Sequence, residues 1–247
     1  MTNRYFSECP IMGGNVVLTG QEAHHLVGVM RVRPGDRVEV FDGSGAEFSA
    51  EVERAERDQV ALRVLERKPI DRELPLELVI GVCLPKGDRQ RWLVEKAVEL
   101  GVRRIVPLVT ARSVAKPGPQ ATARLHRGVI EASKQCGRNR LMEIAPAMPW
   151  PEWVDATRTV PCRLLAHPGS GTGRKPGTPL SGSTAPQAVA MAIGPEGGFT
   201  DDEVRLAVEA GWQPIDLGPR ILRIETAAIM LAALAITVGQ AFQPDGC

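Results

Sequence analysis

Ala188-Val-Ala-Met-Ala-Ile-Gly-Pro-Glu-Gly-Gly198 sets an apolar run directly against a glycine-rich turn. A second unit of the same kind follows: Trp212 to Leu217 is largely apolar and ends in Gly218-Pro219-Arg220. Each turn leads into a helix. Thr200-Asp-Asp-Glu203 has the spacing of a capping box, and Glu225 to Gly239 is apolar on nearly every side. Turns at the carboxyl ends of strands are where open α/β sheets bind ligands. Glycine lets the backbone approach a ligand and take φ > 0, and a helix start offers N–H donors. Two such turns close together predict one composite small-molecule site. The last helix must be buried, either in the core or against a second subunit.

Working backwards, the strand–helix rhythm begins after Pro75. Leu76 to Leu84 reads as a strand buried on both faces, and Asp88 to Leu100 as a helix stopped by Gly101. Ile105 to Val109 is the next strand, Ala121 to Cys136 a helix stopped by Gly137, and Cys162 to Ala166 a further strand. This pattern predicts a parallel α/β domain. Residues 1–68 differ. Asp36 to Asp42, Glu47 to Glu53 and Gln59 to Leu65 alternate with period two, which predicts a small β-barrel. Arg67 to Pro75, charged and broken by proline, reads as a linker. The expected division is therefore 1–68 and 74–247. Within the second, His167 to Pro186, rich in Gly, Ser, Thr and Pro, reads as a flexible surface loop.

Composition narrows the chemistry. A net charge of +1 leaves no global basic field, so any nucleic-acid contact must come from local arginine groups. The cysteines (Cys9, Cys83, Cys136, Cys162 and Cys247) are odd in number and never spaced C-x-x-C, which argues against a zinc site or disulfide framework. His24-His25 lacks acidic or cysteine partners at ligand spacing, so no metal is expected. No signal core opens the chain, and Thr226 to Val238 is too short to span a bilayer, so a cytoplasmic protein without a membrane anchor is expected. Gly169-Ser-Gly-Thr-Gly-Arg-Lys175 fails the phosphate-loop spacing. The turn after the first α/β strand, Pro85-Lys-Gly-Asp88, also lacks the dinucleotide fingerprint.

Gly194-Pro-Glu-Gly-Gly198 together with Leu217-Gly-Pro-Arg-Ile-Leu-Arg-Ile-Glu-Thr-Ala227 resembles the cofactor-binding region of SPOUT-class RNA methyltransferases. More narrowly, the chain is similar to the enzymes that methylate N3 of a uracil in 16S ribosomal RNA of the small subunit. Glu131-Ala-Ser-Lys-Gln-Cys-Gly-Arg-Asn-Arg140, the Leu26-to-Gly43 stretch with Met30-Arg-Val-Arg33, and the opening Arg4-Tyr5-Phe6 carry that narrower likeness. The resemblance implies a PUA-like β-barrel followed by a parallel α/β domain with a C-terminal trefoil knot, usually as a homodimer. It implies an S-adenosylmethionine pocket on three loops: Leu165 and His167; Ile193, Gly194, Glu196, Gly197 and Gly198; and Leu217, Gly218, Ile221, Leu222, Thr226 and Ala227.

Uracil N3 carries a proton at neutral pH, so the reaction needs a base and a group to stabilise the anion. Glu225 is the candidate base and Arg223 the candidate stabiliser. The plainer reading is that Glu225 and Thr226 simply start the last helix. Candidate RNA contacts are Arg4, Arg31 and Arg33 in the first domain, and Lys86, Arg89, Arg138, Asn139 and Arg140 further along. With few aromatics, shape and phosphate contacts are expected to dominate recognition of folded 16S rRNA, within the assembled small subunit. Two rival functions stay open: a ribose 2′-O methyltransferase of the same class, and a non-catalytic RNA-binding protein of ribosome assembly.

Overall fold

The computed structural model describes residues 4–113, 118–168 and 186–240. The loop expected within His167 to Pro186, and Gly169 to Lys175 with it, lies almost wholly outside the described residues. The chain divides into two compact units. One comprises residues up to Glu73 plus Ile130–Leu141, and the other comprises Leu74–Val129 and Met142 onward.

The first unit is built on β1 (Arg4–Phe6), β2 (Asn15–Thr19), α1 (Gly20–His24), β3 (Arg37–Phe41), β4 (Glu47–Ala55) and β5 (Gln59–Lys68). Its five strands lie in the order β1-β3-β4-β5-β2, with β1 parallel to β3 and the remaining pairs antiparallel. Period-two burial is clearest in β2, where Val16 and Leu18 point inward between exposed neighbours. They join Tyr5, Leu26, Val40, Val52 and Leu62 in the core. After α1 the chain makes a π-helical turn over His25–Met30, closed by Arg31 at φ 54°. Local periodicity does not predict that turn.

Two expectations change here. The segment Arg67 to Pro75 is more than a linker. Arg72 donates to Glu47 (3.2 Å) and to the Gly137 carbonyl (2.7 Å), and Glu73 receives Arg138. Arg4, Arg138 and Asn139, expected on RNA, are buried. Arg4 pairs with Glu47 and Asn139, donates to the Arg138 carbonyl (3.0 Å) and lies over the Phe41 ring. Arg138 forks onto both oxygens of Glu73 at 2.8 and 2.6 Å, and Asn139 donates to the Ile70 carbonyl (2.9 Å). A guanidinium enclosed and paired in this way holds the fold and presents no donor to a phosphate. Arg31, Arg33 and Arg140 remain exposed.

The second unit alternates strand and helix: β6 (Glu77–Val82), α2 (Arg89–Glu99), β7 (Arg104–Val109), α3 (Pro119–Cys136), β8 (Glu143–Ile144), β9 (Met148–Pro149), α4 (Trp150–Ala156), β10 (Cys162–Ala166), β11 (Ala188–Ile193), α5 (Asp201–Glu209), β12 (Gln213–Ile215) and α6 (Ile224–Gln240). The last turns of α3, from Ile130, count with the first unit. All strand pairs are parallel, in the order β12-β10-β11-β6-β7-β8, with β9 also on β7. β11 is therefore buried along nearly its whole length. Trp150, Trp153, Leu165, Phe199 and Trp212 fill one core cluster. Gly81 in β6 is needed there, because a Cβ would sit 2.7 Å from the Trp153 ring.

The strand expected over Trp212 to Leu217 is shorter. Trp212 turns into the core, and Asp216 accepts the Gly218 N–H (2.9 Å), which starts the loop. From β12 at the sheet edge the chain then crosses back, and α6 packs on β11, β6 and α2.

Candidate active site

Strand order brings the two glycine turns to one place. β11 and β12 flank β10, so the loops after Ile193, Ala166 and Ile215 leave the same end of three adjacent parallel strands. The His167 N–H donates to the Ile215 carbonyl (3.0 Å), tying the middle loop to its neighbour. Between the loops lies a cavity of about 370 Å³, within the range of roughly 300–1,000 Å³ usual for small-molecule sites.

Of the expected pocket residues, His167, Ile193, Gly194, Glu196, Gly197, Gly198, Leu217, Gly218, Ile221, Leu222 and Ala227 line it. Leu165 does not; it is fully buried in the core, and Ala166 and Pro168 line the wall instead. Gly198 (φ 69°) and Gly218 (φ 115°) hold left-handed conformations, and a Cβ on either would meet no protein atom within 4 Å. Both stretches of backbone thus stay open to an occupant. At Gly194 a Cβ would come within 2.9 Å of Phe199, so that glycine serves packing.

The expected capping box is present. Thr200 Oγ1 accepts the Glu203 N–H (3.3 Å), and Glu203 Oε2 accepts the Thr200 N–H (2.8 Å). Glu203 Oε1 also accepts the Ala111 N–H at 2.8 Å. One residue on, Arg112 donates to the Gly197 carbonyl at 2.7 Å and lines the cavity. Sequence reasoning missed Arg112, Asp201, Asp216 and Arg220 as lining residues. A signal for Arg112 existed: its loop follows β7 at the same end of the sheet, although no glycine marks it.

Arg223, Glu225 and Thr226 border a second cavity, of about 450 Å³, together with Arg89 and Trp92. Ile221 and Leu222 line both spaces. Arg223 is exposed, whereas Glu225 at the start of α6 is 5 % exposed. Arg89 lies 4.0 Å from Glu225 and 3.7 Å from Glu196. Nearby, burial pushes the Cys83 thiol up, which keeps it protonated. Lys86 is exposed before α2. Among the described residues no group of three His, Cys, Asp or Glu side chains is placed to hold a metal ion, and no helix is long and apolar enough to cross a membrane.

A glycine-lined cavity at the carboxyl ends of a parallel sheet, with a buried carboxylate beside it, defines a small-molecule-dependent α/β enzyme. The family model for an RNA methyltransferase domain matches residues 72–236, and that for an RNA methyltransferase PUA domain matches residues 18–65. Ribosomal RNA small subunit methyltransferase E of Bacillus subtilis is 31% identical over 93% of this chain and 91% of its own length. The same enzyme of Synechocystis is 33% identical over 90% and 73%. Among solved structures, a putative methyltransferase from Legionella pneumophila in complex with the cofactor SAM superimposes with a TM-score of 0.87 at 31% identity, covering 96% of this chain and 98% of its own. Ribosomal RNA small subunit methyltransferase E from Neisseria gonorrhoeae, bound to S-adenosyl methionine, gives 0.85 at 30% identity, covering 96% and 98%. The chain belongs to the ribosomal RNA small subunit methyltransferase E family. Its fold is accordingly a parallel α/β RNA methyltransferase domain with a PUA domain before it.

Proposed function

We propose that this chain transfers a methyl group from S-adenosylmethionine to N3 of a uridine in 16S rRNA of the small ribosomal subunit. The observation that carries the reading is the pairing of the cavity with buried Glu225 across a shared wall, in a chain of this family.

The residues present suit the cofactor. Ile193, Leu217 and Leu222 offer apolar faces for an adenine. Asp201 and Asp216 complement a sulfonium or ammonium, and Arg112 and Arg220 a carboxylate. Bound there, the sulfonium supplies an activated methyl group. Glu225 accepts the N3 proton of uracil, and N3 forms its bond to the methyl carbon as the carbon–sulfur bond breaks, leaving a neutral thioether. Arg223 stabilises the negative charge that develops on a uracil oxygen. No metal is needed for this displacement, whose acceleration rests on alignment.

For recognition, the exposed Arg31, Arg33 and Arg140 of the first unit and Lys86 of the second are the phosphate contacts. In this reading residues 1–68 serve RNA binding and residues 74–247 carry the chemistry. Met230 and Leu234 of α6 stay only half-buried in the single chain, which supports a homodimer. The substrate class supports action in the cytoplasm on an assembled subunit. The test is methyl transfer from labelled cofactor to small subunits lacking base methylation, with nucleoside mass spectrometry. 3-Methyluridine is the expected product; nuclease-resistant dinucleotides would assign the chemistry to ribose instead.

A further inference from the structure

The second cavity has a chemical signature of its own. Its deepest polar group is Glu225, 5 % exposed, whose Oε2 has no hydrogen-bond partner among the described residues. A carboxylate oxygen left without a donor at such depth costs free energy unless something completes the site. The nearest cation, Arg89, stands 4.0 Å away and is shared with Glu196 at 3.7 Å. Both distances are too long for hydrogen bonds, so the guanidinium is poised between two carboxylates without being committed to either. Arg223 borders the same space. Arginine only donates and an ionised carboxylate only accepts. Arg89 and Arg223 therefore offer donors, and Glu225 an acceptor, to one cavity.

These groups complement one nucleobase edge. The imide edge of uracil reads acceptor, donor, acceptor through O2, N3–H and O4; cytosine presents an acceptor at N3 and a donor at N4. The cavity also has an aromatic wall. Trp150, Trp153 and Trp212 are buried, whereas Trp92, one turn beyond Arg89 on α2, is 43 % exposed and borders the cavity. A base turned out of its stack needs such a face.

We infer that this cavity is the seat of the target base: the uracil lies against Trp92, Glu225 takes the N3–H, and Arg89 and Arg223 hold the two oxygens. The inference rests on the uracil-N3 reading above and adds to it a base-discriminating role for Arg89 and a stacking role for Trp92. Ile221 and Leu222 line both cavities, so base and cofactor spaces adjoin along these residues, where transfer takes place.

The test compares the wild-type protein with Arg89→Gln, Trp92→Ala and Trp92→Phe. Three quantities are read: single-turnover methyl transfer to small subunits at saturating enzyme, cofactor affinity by calorimetry, and oligomeric state by sedimentation. Loss of a base–aromatic stack corresponds to about five- to hundredfold. Trp92→Ala is expected to slow transfer by that factor with cofactor affinity unchanged, and Trp92→Phe to recover most of it. Arg89→Gln is expected to slow transfer about tenfold or more, also without weakening the cofactor. Unchanged rates in either position overturn the seat. So does a loss of cofactor affinity in Arg89→Gln, which makes Arg89 a brace for Glu196, or a dissociated Trp92→Ala protein, which makes Trp92 an interface residue. If the wild-type protein itself transfers no methyl to subunits, the underlying reading fails, and the seat falls with it.

Discussion

Arg138→Ala separates a structural arginine from an RNA contact. In the first unit the Arg138 guanidinium forks onto Glu73 at 2.8 and 2.6 Å, with side-chain exposures of 4% and 18%. Truncation strands the Glu73 carboxylate where little water reaches it. Breaking one partner of a buried pair costs roughly 3–5 kcal/mol. The partial exposure of Glu73 places the expectation near the lower end, at about 3 kcal/mol, or roughly a hundredfold in the folding equilibrium. In urea that lowers the midpoint by about 1 M or more. Removing both partners leaves no stranded charge, so Arg138→Ala with Glu73→Ala should cost less than the sum of the two single changes. Subunit binding measured against salt supplies the control. Losing one phosphate contact flattens the logarithmic slope by about 0.7–0.9, and that change is expected for exposed Arg140→Ala, with little loss of stability. An Arg138→Ala protein as stable as the wild type, with a flattened slope, would refute the reasoning.

Three further outcomes are expected. Glu225→Gln should lower single-turnover methyl transfer by about 10²–10⁴-fold while calorimetric cofactor affinity holds; equal loss of both would make Glu225 a brace of the pocket. Tyr5, the chain's one tyrosine, is fully buried, and burial, reinforced by Glu22, pushes its phenol up to about 12. Tyrosinate absorbance should therefore appear near that value in the folded protein and near pH 10 after unfolding. Because the folded value is the higher one, the associated stability is intact below about pH 10 and declines as pH rises toward 12. Gly81→Ala should cost about 1–3 kcal/mol by calorimetric unfolding, because its Cβ would meet Trp153 at 2.7 Å and Leu108 at 3.0 Å; a protein melting like the wild type would show that the ring can move aside.

Legibility followed range of interaction. Cys162 to Ala166 and Ala188 to Ile193 are strands residue for residue, because unbroken apolar runs bounded by turn residues have one good solution in a parallel sheet. The helix after Thr200 was equally plain, since a capping box is contained within four residues. Arg4, Arg138 and Asn139 were not legible. Their partners lie 43, 65 and 69 positions away, and nothing local distinguishes an arginine that closes a core from one that meets solvent. The π-helical turn at His25–Met30 follows neither strand nor α-helical period. At the site, glycine marked the loops after β11 and β12 but not the loop carrying Arg112. Sequence order also hid that β10 stands between β11 and β12, so that Ala166, His167 and Pro168 complete the middle of the wall.

The parallel pairing of β6 with β11 joins Glu77 to Ala188, a separation of 111 residues (188 − 77). During synthesis β6 can pair with β7 almost at once, but its other edge stays open until β11 emerges. At about 5–20 residues per second that wait lasts roughly 5–20 s. Until then a strand edge and the apolar faces destined for the core stand unsatisfied, a hazard for edge-to-edge association. Parallel sheets closed by such distant partners fold slowly. The sheet is therefore complete only once β11 has emerged, and competence to methylate is acquired late, after the last crossing of the sheet.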